Sequence, residues 1–321
     1  MKRLVAAAVM LAATLTGAAA QAPKTKMTIG TGVDPSLANF YVAKVGGFFD
    51  KHGLDVQLNT GPSGSAMVPF LVQNQIQAAL AAEQAGLVSH PIDNNIVVIS
   101  QAMMSGRYFG IVARNIDNLD ALKGKKVGVP VGSAGDVFWR ALVAKLNLNP
   151  KDYTIVPVDP PEMVAALERG NIDAASAWEP WVTRTVQTVA NTKMIRDNEG
   201  IISTRNFVYL NRGWADQNPD AAIRFMRALA EATDFINSNP DEAAKQTASF
   251  LKMEPDFTKT LMAKVQFSVG LEQPAIDYLK TVETQLREAG RLKGTIDWNR
   301  FIYPDLAMKV VPERVKLGPK S

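Results

Sequence analysis

Three short segments carry groups suited to binding an oxyanion: Leu37-Ala38-Asn39, Ser63-Gly64-Ser65 and Gly132-Ser133-Ala134. Each lies where a strand pattern gives way to a helix pattern, so each offers free backbone N–H groups and the positive end of a helix dipole. Glycine lets the backbone approach a ligand and serine adds a hydroxyl, which together suit a carboxylate, sulfonate or nitrate. The same serines also serve as helix caps, so each loop taken alone has two readings. Carboxylates stand at neighbouring strand ends: Glu83 beside Gln84, Asp159, and Glu179 beside Trp178, with Asp136 close after Ser133. Glu83 is equally at home at a helix N-terminus. An aromatic face next to a carboxylate suits a ring or a cation, although Trp is as often core. Arg107 would pair with an anionic group or stand as a solvated loop charge. Asn206 and Phe207 are placed to line a hinge.

Catalytic and metal chemistry has little to work with. The chain has no cysteine, which removes disulfides, thiolate zinc sites, thiol nucleophiles and a lipid-modified N-terminal cysteine. Its two histidines are His52, at a helix end beside Gly53, and His90, before Pro91. Both read as structural, so neither a triad nor a metal site is expected, and no cofactor is called for. A net charge of +4 without a basic, aromatic-interleaved block argues against nucleic acid.

The elements that must position these groups follow one another in a regular order. Lys2 and Arg3, the apolar run Leu4 to Leu15 and the small residues Gly17 to Ala20 make the three-part pattern of a secretory signal peptide, residues 1–20. The apolar run is too short for a good membrane span. Strands are expected at Met27–Gly30, Leu54–Leu58, Ala78–Ala82, Ile96–Gln101, Tyr108–Ala113, Lys126–Val129, Tyr153–Val158 and Ala174–Ala177. Helices fall between them at Phe40–Phe49, Ala66–Gln73, Val137–Leu146 and Glu162–Arg169. That alternation predicts an α/β protein with mostly parallel sheets. After a strand at Phe207–Leu210, the spans Asp220–Asn237, Pro240–Phe250, Pro255–Ser268 and Pro274–Glu288 all read as helices, most of them opening on Pro or Asp.

Three groups of residues then look familiar together. They are Asn39-Phe40-Tyr41-Val42-Ala43-Lys44 leading to Gly47-Phe48-Phe49-Asp50, Leu122-Lys123-Gly124-Lys125-Lys126-Val127-Gly128-Val129-Pro130 leading to Gly132-Ser133, and Ala165-Ala166-Leu167-Glu168-Arg169-Gly170 leading to Ala177-Trp178-Glu179-Pro180. The order resembles the substrate-binding proteins of ABC importers for nitrate, sulfonates, taurine and thiamin-type pyrimidines. The resemblance implies a type II clamshell with a C-terminal helical section. Residues 27–110 and 206–321 would form one lobe and 111–205 the other. It also implies a ligand between the lobes, held by Asn39, Ser63, Gly64, Glu83, Gln84, Arg107, Ser133, Ala134, Asp159, Trp178, Glu179 and Phe207. Position in the family pattern favours ligand contact over capping for Ser63, Gly64, Ser133 and Ala134. Relatives often place Ser or Thr and then His after the Gly-Ser pair; here Ala134, Gly135 and Asp136 stand there, which removes side-chain donors, adds a carboxylate and argues against a plain sulfonate or nitrate, while the ring surface of Trp178 and Phe207 puts an organic ligand ahead of bare nitrate. The implied role is capture of a small, acidic organic solute in the periplasm, without a lipid anchor, and delivery by a monomer to an inner-membrane permease. A ligand sensor for a membrane receptor is the alternative. The pyrimidine-synthase branch uses a cysteine-rich motif that this chain cannot supply.

Overall fold

The structure is a computed structural model that describes residues 23–318; the proposed signal peptide lies outside the described residues. The chain first lays down β1 (Thr25–Thr31), β2 (Leu54–Thr60), β3 (Ala78–Ala82) and β4 (Ile96–Ser105). It then crosses to a second sheet made of β5 (Phe109–Arg114), β6 (Lys126–Val129), β7 (Thr154–Pro157), β8 (Ala174–Trp178) and β9 (Thr192–Asp197). It returns to the first sheet as β10 (Thr204–Asn211), followed by β11 (Gln266–Glu272) and β12 (Val315–Lys316). The seven-stranded sheet has the order β12-β11-β4-β10-β3-β1-β2 and the five-stranded sheet β7-β6-β8-β5-β9. Each sheet is the spine of one lobe of an α/β clamshell.

The sheets are mixed rather than mostly parallel. β2, β1 and β3 run parallel, as do β7, β6 and β8, whereas β10 is antiparallel to β3 and β4, and β5 to β8 and β9. The reason is the crossing itself. A strand arriving from the other lobe enters at the hinge, where the parallel strands have their carboxyl ends, so it can only run back against them. β3 sits between β10 and β1 and is buried along its whole length, which explains its run of alanine and leucine.

Helices cover both faces of the larger sheet. Ala38–Val45 and Pro219–Ser238 pack together on one face, with Phe40 edge-on to Phe225 at 6.0 Å. Glu83–Ser89 and Gln273–Glu288 pack together on the other. The expected helix Phe40–Phe49 is broken in two at Gly46-Gly47, where Gly47 adopts φ 74°. The expected helix Pro255–Ser268 ends at Met262, and β11 begins at Gln266. Phe267, Val269 and Leu271 alternate into the core there, and pairing with β4 outweighs a helical reading of the same residues. Among the described residues no helix is long and apolar enough to cross a membrane.

Two crossings join the lobes, Ser105 to Phe109 and Asp197 to Thr204. Asn198, fully buried, clamps them. Its Oδ1 accepts the backbone N–H of Tyr108 and of Phe109, both at 3.0 Å, and its Nδ2 donates to the carbonyls of Ser105 and Ile202.

Candidate functional site

Where the two sheets face each other, a narrow cleft takes its walls from both. From the large-sheet lobe come Asp34, Ser36, Ser63, Gly64 and Asn206; from the other come Phe109, Ser133, Ala134 and Trp178. This is the place beyond the carboxyl ends of parallel strands where α/β proteins bind ligands.

The loop after β1 turns into a short helical stretch because Asp34 precedes Pro35. The Asp34 side chain accepts the Ser36 N–H at 3.0 Å and the Ser36 hydroxyl, and the Tyr108 hydroxyl reaches it from the hinge at 3.5 Å. Asp34 is 5% exposed, and burial pushes its carboxyl up to about 6; hydrogen bonds from Ser36, the Trp178 side chain and Tyr108 pull it only part of the way back. No lysine, arginine or histidine forms an ion pair with it among the described residues.

The facing wall is the start of the helix Ala134–Lys145. The Ser133 side chain does not cap it but donates to the Pro130 carbonyl at 2.6 Å. As the first two helical residues, Ala134 and Gly135 have no intrahelical partner for their N–H groups. Their positive end is therefore turned toward the cleft. On the other wall Ser63 Oγ accepts the Ala66 N–H at 3.2 Å, a capping bond, while Gly64 answers a packing need: a Cβ there would lie 2.2 Å from the Leu80 carbonyl oxygen. The capping reading thus holds for Ser63, and Gly64 is glycine to pass under β3.

Two charged contacts bridge the lobes. Glu179, at the end of β8, takes the Lys264 ammonium at 2.8 Å, and its carboxylate also receives the N–H and hydroxyl of Thr183 at 3.0 Å. Asp136 receives the Gly132 N–H at 3.0 Å, Arg140 Nε at 2.9 Å, and Arg291 from the other lobe.

The structure brings Ser63, Gly64, Ser133, Ala134 and Trp178 to the cleft, with Glu179 beside Trp178, and places the other expected residues elsewhere. Asn39 is buried inside the large-sheet lobe and donates to Thr233 Oγ1 at 2.9 Å. Glu83 is fully buried and accepts the Tyr278 hydroxyl at 2.8 Å; burial holds its carboxyl up at about 7. Gln84 is buried with neither amide atom partnered, but it is not among the residues lining the cleft. Arg107 is exposed and pairs with Glu199 beside the hinge. Asp159 is exposed before the helix Pro160–Glu168. Phe207 is core, next to Tyr209. The histidines are structural: His52 Nε2 meets Glu231 at 2.9 Å, and His90 Nδ1 meets the Ile96 carbonyl at 2.8 Å. Sequence reasoning passed over Asp34, Tyr108, Lys264 and Arg291. The order Asp-Pro-Ser marks a helix start and could have drawn attention to Asp34; nothing local marks the two basic residues.

A family described as NMT1/THI5 like matches residues 34–243. A Brucella abortus protein, named as a binding protein without a ligand, is 28% identical over 274 residues, covering 82% of this chain and 85% of its own. The taurine-binding periplasmic protein of Escherichia coli is 24% identical over 241 residues, 73% of each chain. Among solved structures, the periplasmic aliphatic sulphonate-binding protein SsuA of Escherichia coli superposes with a TM-score of 0.73 at 15% identity, over 88% of this chain and 98% of that one. With more than half its length matched, from the Asp34 loop through both crossings, this chain belongs to the NMT1/THI5-like family.

Proposed function

We propose that this chain is an exported solute-binding protein that closes its two lobes on a small acidic organic solute and hands it to an ABC importer. The carrying observation is the cleft itself: its walls come from both lobes, and one of them is an uncapped helix N-terminus lined by Ser133 and Ala134. The taurine-binding relative supports an organic acid as cargo. The signal-peptide pattern of residues 1–20 supports release into the periplasm, and the absence of cysteine argues against a lipid tether. A monomer meeting an inner-membrane permease is the matching assembly. The family also holds a synthase branch; its cysteine-based chemistry has no counterpart in this chain, so the role proposed is non-catalytic.

The test is a thermal-shift and calorimetric screen of the chain from Gln21 onward with taurine, alkanesulfonates, nitrate, aromatic acids and pyrimidines. A solute present at 100 times its dissociation constant is expected to add about 2.7 kcal/mol to stability. The variant Ser133→Asp, which puts a negative charge at the helix start, should abolish that gain. Binding left intact in Ser133→Asp would remove this wall from the site, and no binding by any acid would overturn the reading.

A further inference from the structure

A cleft that attracts an anion at one wall has a carboxylate at the other, and the fate of the neighbouring acids shows what that carboxylate is for. Glu179 is neutralised by Lys264 and Asp136 by Arg140 and Arg291. Glu83 lies outside the cleft, bonded to Tyr278, and Asp159 is out in solvent. Asp34 alone among these acids is both buried and part of the cleft wall, and no cation pairs with it among the described residues. Its partners, Ser36, Tyr108 and the Trp178 side chain, are all neutral donors. A buried carboxylate in this setting is destabilised until a positive charge reaches it.

We propose that Asp34 is a specificity-determining residue that receives a cationic group of the solute, so that the cleft selects small zwitterions: an ammonium or amidinium at Asp34 and an acidic group toward the N–H groups of Ala134 and Gly135. The inference rests on the cleft being the solute site. It gives both walls a partner at once, which neither a plain acid nor a plain amine does. Asp34 and Ala134 line the same narrow cleft, which favours a short solute that can meet both. Solutes without the positive group leave Asp34 buried and uncompensated, and they are rejected for that reason rather than by shape.

The experiment is titration calorimetry on the exported chain with paired probes that differ by the amine alone: taurine against ethanesulfonate, and β-alanine against propionate. The zwitterion of at least one pair is expected to bind tenfold or more tightly than its partner, about the value of one charge-assisted contact. Asp34→Asn keeps an acceptor for Ser36 and removes the charge; it should bring the two members of that pair to within about threefold. The wild-type comparison stands by itself should the variant fail to fold. Plain acids binding as tightly as their amino counterparts would overturn the proposal and leave the solute-binding reading in place. Failure of every paired probe and of every acid in the wider screen would overturn both.

Discussion

The Lys264 ammonium lies 2.8 Å from Glu179 Oε1, and through that contact the loop before β11 in one lobe holds the end of β8 in the other. Ser105, at the start of the crossing, donates to the Lys264 carbonyl at 2.6 Å, so the latch is anchored to the hinge it spans. Glu179 is buried while Lys264 is about a third exposed, and opening the lobes is the cheapest way to rehydrate an orphaned carboxylate. Lys264→Met should therefore act mainly on the open–closed balance. Solute affinity is expected to fall about tenfold, with an increased radius of gyration in small-angle scattering of the solute-free protein. Arg291→Ala should do less, because Asp136 keeps Arg140 and the Gly132 N–H. Equal effects of the two changes would count against this assignment.

Gly64 is held by packing. Adding one methyl group brings it within 2.2 Å of the Leu80 carbonyl and 2.9 Å of Ala81 Cα, both backbone atoms of the buried strand β3. Gly64→Ala is expected to cost about 3 kcal/mol or more in urea denaturation, whether or not solute is present. Ser63→Ala, which loses one capping bond, should cost about 1 kcal/mol.

Asn198→Ala should be among the most damaging changes outside the apolar core. It strands two buried N–H groups, of Tyr108 and Phe109, and frees the carbonyls of Ser105 and Ile202. A loss of roughly 2–5 kcal/mol in stability is expected. Asn198→Asp should recover part of it, since its oxygen still accepts from both N–H groups.

Buried acids set a pH dependence opposite to the usual one. Burial raises Glu83 to about 7 and Asp34 to about 6, so the folded protein holds protons that the unfolded chain has released. Stability contributed in this way is full below about pH 4 and is lost as the pH rises through 6 to 7. Between pH 5 and 7.5 the solute-free protein should lose a few kcal/mol, roughly, in chemical denaturation. Glu83→Gln, which keeps an acceptor for the Tyr278 hydroxyl, should remove much of that slope and be more stable than the parent at pH 7.5. A parent whose stability rises over that range would contradict both assignments.

Much of the architecture was legible because it is written in local patterns. β3 at Ala78–Ala82 matches the expected strand end to end, and the late helices Pro219–Ser238, Pro240–Leu251 and Gln273–Glu288 begin within a residue of where Pro and Asp marked them. β11 was hidden because its alternation, Phe267, Val269 and Leu271, is short and follows directly on a helix, and its strand partner, β4, lies far back in the chain. The site divides the same way. Ser63, Gly64, Ser133, Ala134 and Trp178 stand at strand-to-helix turns, which sequence alone determines from periodicity and turn residues. Which carboxylate remains free for a ligand was decided by tertiary structure. Lys264 reaches Glu179 across 85 residues, Arg291 reaches Asp136 across 155, and Tyr278 reaches Glu83 across 195. Local sequence sets what each acid is, but its charge state and availability depend on the cations and donors that folding brings to it, and at Asp34 folding brings donors and, among the described residues, no cation.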